Sequence, residues 1–202
     1  MKNFYTKIRD FIYKYKLQAL REVALFMLIT IAIHFSYRFW ANDLRYAPVS
    51  KVVYNFEERL TQLVYIQSKY VVTQILDLQI TSIDDKERII YFENNGFVGV
   101  GHSCSGFKQL LQVFLLFLIY PGPFRKKIWF IPLGIVIIYF VNIMRIVILS
   151  AVVNAKPEYF QFVHDNVVRP FFYVVIFTLW VIWVEKIYPK RMKGQKAPPI
   201  SE

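Results

Sequence analysis

Four long apolar runs divide this chain, at residues 23–40, 107–120, 128–153 and 167–187. An α-helix rises ~1.5 Å per residue, so about 20 apolar residues cross the ~30 Å hydrocarbon layer of a bilayer. Backbone N–H and C=O groups find no water there, and a helix satisfies them within one segment. The runs therefore read as spanning helices, the second just long enough if the residues before it are included. Composition agrees. Apolar residues make up 56% of the 202 and charged residues 19%, against about half and a quarter in a soluble domain. The single cysteine excludes a disulfide scaffold, and one Cys with three His is a poor basis for a metal cluster. No metal and no cofactor is expected.

Charge sets the orientation. A net charge of +11 would suit nucleic acid, but the basic residues stand beside the apolar runs, as cytoplasmic Lys and Arg do in polytopic membrane proteins. The expected partner is the lipid bilayer, not nucleic acid. Residues 1–21 carry Lys2, Lys7, Arg9, Lys14, Lys16 and Arg21 among aromatic and aliphatic residues at roughly helical spacing. This predicts a cytoplasmic amphipathic segment on an anionic leaflet. Arg125, Lys126 and Lys127 follow the Pro121-Gly122-Pro123 stop, and residues 188–202 form a basic tail. Placing all three inside gives four spans and puts residues 41–103 outside, where eight acidic residues face six basic ones.

Within that outer stretch, residues 60–80 are apolar at Leu60, Leu63, Val64, Val71, Ile75 and Leu78, but Gln62, Gln67, Lys69, Gln74 and Asp77 interrupt them. A spanning helix would bury those polar groups at a cost and would separate the two chain ends. An amphipathic helix on the outer membrane surface is predicted, with a span packed inside the bundle as the alternative. Residues 89–93 and 97–100 flank Asn94-Asn95-Gly96, the signal of a tight β-hairpin. The expected fold is one integral-membrane domain over residues 1–202, an all-α polytopic protein. It has about four transmembrane helices, an outer amphipathic helix and a short hairpin. Its place is the cytoplasmic (inner) membrane.

This topology brings three groups far apart in sequence to one depth. Cys104 falls at the outer end of the second span, Arg145 in the outer leaflet part of the third, and His164 at the outer start of the fourth. Singly, a lone Cys is usually an inert small hydrophobe and a His near an interface a surface residue. An Arg inside a span needs a partner or a water-filled site. Together they make coherent chemistry. A helix N-terminus and Arg145 favour the Cys104 thiolate, His164 moves a proton, and Arg145 can stabilise an oxyanion. Phe92 and Phe97 are placed to hold an extended peptide.

Cys104-Ser105-Gly106, Asn142-Ile143-Met144-Arg145-Ile146 and His164-Asp165 resemble, in order and spacing, the three motifs of the exosortase and archaeosortase proteins. The approach to the cysteine, an amphipathic helix, a hairpin and Phe97-Val98-Gly99-Val100, is similar too, so the resemblance covers residues 52–187. It implies a membrane-embedded thiol protease or transpeptidase with its catalytic face outside. Substrates would be exported proteins ending in a short motif, a membrane helix and a basic cluster. The resemblance places the nucleophile at Cys104, the catalytic arginine at Arg145 and the catalytic histidine at His164. Asn142, Ser105, Gly106, Lys108 and Asp165 lie beside them as binding or supporting residues. Many relatives have more spans, so the chain resembles the short, core-only members. Gly101-His102-Ser103 stands where many relatives carry Glu-Ala, which makes His102 a rival base, ranked below His164. Two other readings compete: a non-catalytic scaffold holding a partner's signal helix, and a small transporter using Arg145. Neither requires that Cys, Arg and His all be kept.

Overall fold

The computed structural model describes residues 18–42 and 44–187. Most of the expected N-terminal amphipathic segment, and the basic tail at 188–202, lie outside the described residues.

Helix α1 is Gln18–Asn42, α2 is Ser50–Tyr70, α3 is Phe107–Ile119 and α4 is Phe124–Ala155. A last helical run, Pro157–Ile187, is built from a short 3-10 turn, α5 (Phe160–Val163), a π turn at His164–Val168, α6 (Arg169–Ile182) and a closing π turn. Three of these are long and apolar enough to cross a bilayer: Leu20–Asn42, Phe124–Ala155 and Pro157–Ile187. The chain is thus a polytopic, mainly helical membrane protein.

The second apolar run, expected to be just long enough to cross if the residues before it are included, is helical only over α3. This helix has 13 residues, about 20 Å of rise, short of a ~30 Å hydrocarbon layer. Its ends are fixed by local chemistry. Gly106 holds a left-handed conformation at φ +78°, which ends the helix backwards, and residues 102–104 wind into a 3-10 turn instead. The C-terminal end stops at Pro121 and Pro123, which lack the N–H a helix needs.

The last span differs in the other direction. The stretch between the runs at 128–153 and 167–187 is already helical from Pro157, so His164 lies inside the last helical run rather than at its start. Pro170 explains the π turn that begins at His164. It cannot donate to the Asn166 carbonyl, and its ring crowds that carbonyl, so the helix widens just before it.

The spans pack through one apolar cluster including Phe26 from α1, Val113, Leu116 and Phe117 from α3, Phe130 and Ile138 from α4, and Trp180 and Trp183 from the last run. Lipid supplies no hydrophobic drive between helices, so close fit does the holding. At Gly134 the α3–α4 approach is so tight that an added Cβ would stand 3.0 Å from Val113.

The amphipathic helix begins earlier than predicted, at Ser50, and continues through a π turn to Ile75, not to Ile80. It lies outside the set of helices apolar enough to span. Val53, Leu60, Val64 and Tyr65 are buried, while Val52, Phe56, Leu63, Ile66 and Tyr70 form an exposed apolar stripe on another face. The predicted hairpin is present as β2 (Ile89–Phe92) and β3 (Phe97–Gly99), with Asn95 at φ +62° in the turn. A further strand, β1 (Ile80–Asp84), makes it a three-stranded antiparallel sheet in the order β1-β2-β3. Ile90, Phe92, Val98 and Val100 pack with Val64 and Val72 of the α2 arm and with Ile146 and Val153 of α4. Asn94 Nδ2 donates to the carbonyls of Val153 (2.7 Å) and Asn154 (3.0 Å), so the sheet sits on the end of α4.

The bundle has two distinct poles. At one, Tyr120 Oη donates to Glu22 Oε2 at 2.6 Å, Lys127 Nζ to the Leu118 carbonyl at 2.7 Å and Trp183 Nε1 to the Pro121 carbonyl at 3.2 Å. The start of α1, the 121–123 turn and the end of the last run therefore meet there. The sheet and α2 occupy the other pole.

Candidate functional site

Cys104, Arg145 and His164 come together at the sheet pole, around a cavity of 390 Å³. Cys104 lies in the turn just before α3. Asn142, on α4, donates from Nδ2 to the Cys104 carbonyl at 2.8 Å. The Cys-Ser-Gly sequence is what this turn requires. Ser105 Oγ accepts from the Phe107 backbone N–H at 3.2 Å, near the open start of α3. Gly106 needs its positive φ, and a Cβ there would stand 2.9 Å from Asn142 Cγ. Glycine thus serves both backbone angle and close approach.

Arg145 lies on the same side of α4 as Asn142, one turn on. It is buried, 9% exposed, and its guanidinium bridges the other two groups. Nη2 lies 4.0 Å from Cys104 Sγ and 3.0 Å from His164 Nε2. A guanidinium only donates, so His164 Nε2 accepts and the ring is neutral in this arrangement. Nδ1 then carries the proton and donates to Asp165 Oδ1 at 2.9 Å. Asp165 is itself held by Arg169 Nη1 at 3.0 Å and by Gln161 Nε2. Phe160 stacks on the His164 ring at 5.7 Å between centroids. The α4 helix continues from Arg145 to Ala155, about 15 Å further, so Arg145 sits well below the end of that helix.

Of the supporting residues, Asn142, Ser105 and Gly106 shape the cysteine turn and Asp165 orients His164. Lys108 lines the cavity, with Nζ 5.7 Å from the Tyr37 ring centroid. The rival base, His102, turns elsewhere. Its Nε2 lies 3.1 Å from Glu58 Oε2, and its ring stacks on Tyr54. Phe92 is corrected as a peptide contact: it is buried in the sheet core, whereas Phe97 is exposed.

Sequence reasoning missed several groups. Glu58 on α2 also accepts from Arg88 Nη1 at 2.9 Å, so it ties the sheet to the turn before Cys104. Arg169 and Gln161 stand four residues either side of Asp165, a spacing that places helix neighbours on one face and was the available signal. A second cavity, of 350 Å³, shares Ser103, Lys108 and Gln109 with the first. Its wall includes Glu57, whose carboxyl burial pushes above the ordinary range, against the opposing influence of His102 and of the Tyr46 hydrogen bond.

The model of the transmembrane exosortase family (Exosortase_EpsH) matches residues 17–181. The chain belongs to that family. No curated protein and no solved structure matches it. The exosortase match extends from the start of α1 to the end of α6 and contains every residue of the Cys104–Arg145–His164 cluster.

Proposed function

We propose that this exosortase-family protein is a cysteine peptidase and transpeptidase that cleaves the C-terminal sorting signals of exported proteins. The observation that carries this reading is the Arg145 guanidinium set between Cys104 Sγ and His164 Nε2, at 4.0 and 3.0 Å, on the wall of one cavity. Once Arg145 Nη2 releases the single lone pair of Nε2, His164 takes the thiol proton from Cys104 there. The sulfur attacks the scissile carbonyl, and the carbonyl electrons move to oxygen. Protonated Nε2 now faces a second donor in Arg145, and this repulsion keeps the guanidinium free to follow the oxyanion. Collapse expels the amine, which takes its proton from His164, and leaves a thioester on Cys104. Asp165 keeps the imidazole in one orientation throughout.

The basic 125–127 turn lies at the pole opposite the cluster. By the positive-inside rule, that pole is cytoplasmic and cleavage takes place on the outer face of the cytoplasmic membrane. Residues 1–202 act as one integral-membrane unit, and the substrate's basic tail stays inside, which sets the register of its helix. The test follows a tagged substrate by size in cells carrying the wild type or Cys104→Ala, with the thioester trapped in the wild type. Cys104→Ala is expected to abolish processing and leave the bundle folded. Full processing by this variant overturns the peptidase reading. Signal-helix binding without cleavage by the wild type would favour the scaffold instead.

A further inference from the structure

The second cavity opens beside the first, and its chemistry differs. Tyr37, Asn42, Tyr46, His102 and Lys108 contribute polar groups, and among the described residues Glu57 is the one carboxylate on its wall. Glu57 is 9% exposed, and Tyr46 Oη donates to its Oε1 at 3.4 Å. Among the described residues, no Lys, Arg or His forms an ion pair with it. Tyr37 continues the chain of hydroxyls, 3.1 Å from Tyr46 Oη. The Tyr37 ring lies 6.3 Å from Tyr46 and 6.4 Å from Phe107, so aromatic faces gather beside the carboxylate. An aromatic wall with an anion beside it attracts alkylammonium groups. The chain's own Lys108 ammonium already stands over one of these rings.

We propose that this cavity is the acceptor site of the transpeptidase. It binds an aliphatic primary ammonium through Glu57, Tyr46 and Tyr37, and delivers it to the Cys104 thioester past Ser103 and Gln109. The proposal rests on the peptidase reading above. The ammonium gives one proton to the Glu57 carboxylate and becomes a neutral amine. Its nitrogen attacks the thioester carbon, the C–S bond breaks, and the electron pair leaves on the Cys104 sulfur. The second proton ends on that sulfur, giving an amide and a free thiol, and Glu57 returns its proton to water. Burial, which favours the neutral carboxyl at Glu57, suits a group that takes up a proton during this exchange.

The experiment uses the full chain in proteoliposomes, a fluorescent signal-bearing peptide and ethylamine as acceptor. The products are separated into amide and free acid. Amide formation is expected to saturate with ethylamine, and Glu57→Gln to raise the half-saturating concentration about tenfold, the effect of losing one charge-assisted contact. Glu57→Asp should recover part of that loss. Should Glu57→Gln fail to fold, tetramethylammonium serves on the wild type: it fills the aromatic site without reacting and should compete with ethylamine. An unchanged half-saturation in Glu57→Gln, or no competition by tetramethylammonium, overturns the site. Cleavage that yields only the free acid in ethylamine overturns this proposal alone, whereas a wild type with no cleavage and no thioester removes the peptidase reading as well.

Discussion

The two poles of the bundle handle buried polar groups in opposite ways. At the pole of the 121–123 turn, Glu22, Tyr120 and Lys127 are buried and bonded across helices. The bonds tie α1 to α3, α3 to α4 and the last run to the turn, and Trp183 closes tightly over Gly122. At the sheet pole, Arg145 Nε, Asn142 Oδ1, Gln112 Nε2 and His102 Nδ1 are buried with no hydrogen-bond partner among the described residues. Two cavities lie among them. Trp180 Nε1, in the apolar cluster of the spans, is likewise without a partner among the described residues. Leaving a buried donor or acceptor unpaired costs about 1–3 kcal/mol. A fold keeps such groups where they do something other than hold it together. One pole is a clamp of bonds across helices, and the other keeps cavities among its polar groups.

The contrast is broken most directly at Arg145. Arg145→Lys keeps the charge but loses the planar fork that reaches two partners. It is expected to lower processing at least about 100-fold, as loss of an oxyanion donor does, with the melting temperature little changed. Processing near wild type would mean that charge alone suffices.

The clamp is expected to answer in the other currency. Tyr120→Phe removes the hydroxyl bonded to Glu22 Oε2 and with it the bond that ties α1 to the end of α3, while Arg21 stays on Oε1. Stability should fall by about 1–3 kcal/mol, read by thermal unfolding in detergent, while processing per folded molecule is unchanged. A catalytic defect at equal folding would show that the poles are coupled.

Gly106→Ala tests both at once. The positive φ costs a side chain ~1 kcal/mol or more, and the new Cβ meets Asn142. A modest loss of stability is expected together with a displaced Cys104, seen as slower alkylation of the thiol.

The smallest effect is expected where α2 meets the sheet. Tyr65 Oη and Lys69 Nζ both donate to Asp85 Oδ1 at 2.6 Å. These donors hold the Asp85 carboxyl below its usual range, and burial, reinforced by the bond to Asp85, raises the Tyr65 phenol. A lowered carboxyl contributes above its unfolded value of about 4 and is lost as pH falls through the folded one, and a raised phenol contributes below about 10 and is lost only as pH rises through its folded value. Protection of the Ile90 amide against hydrogen exchange should therefore stay flat between these limits and fall on the acid side. Asp85→Asn should remove the acid limb and leave processing untouched.

The sequence made the long spans readable because an apolar run has one solution in lipid. The exact start of α3 was less legible, because hydropathy counts residues and does not see Gly106 ending the helix. Helix α2 was begun ten residues late because Glu57, Glu58 and Arg59 look like a solvated face. Glu57 is instead turned inward, and Glu58 ties the sheet to the cysteine turn. Strand β1 was missed because Ile80–Asp84 is short and largely exposed and lacks an alternating pattern. The gathering of Cys104, Arg145 and His164 followed from charge and span length together. The grips on Asp165 and His102 come from side chains of other turns and elements, which period and hydropathy do not encode.

The overshoot of α4 sets a requirement on any protein this site would cut. With Arg145 about 15 Å beneath the end of that helix and the sheet seated there against Val153, a folded cargo would not follow a cleavage point at Cys104 down. An extended strand advances ~3.3 Å per residue, so about four or five unstructured residues must separate the last packed element of the cargo from the scissile bond. Shortening that leash in a model substrate, one residue at a time, should give a sharp length threshold instead of a gradual decline.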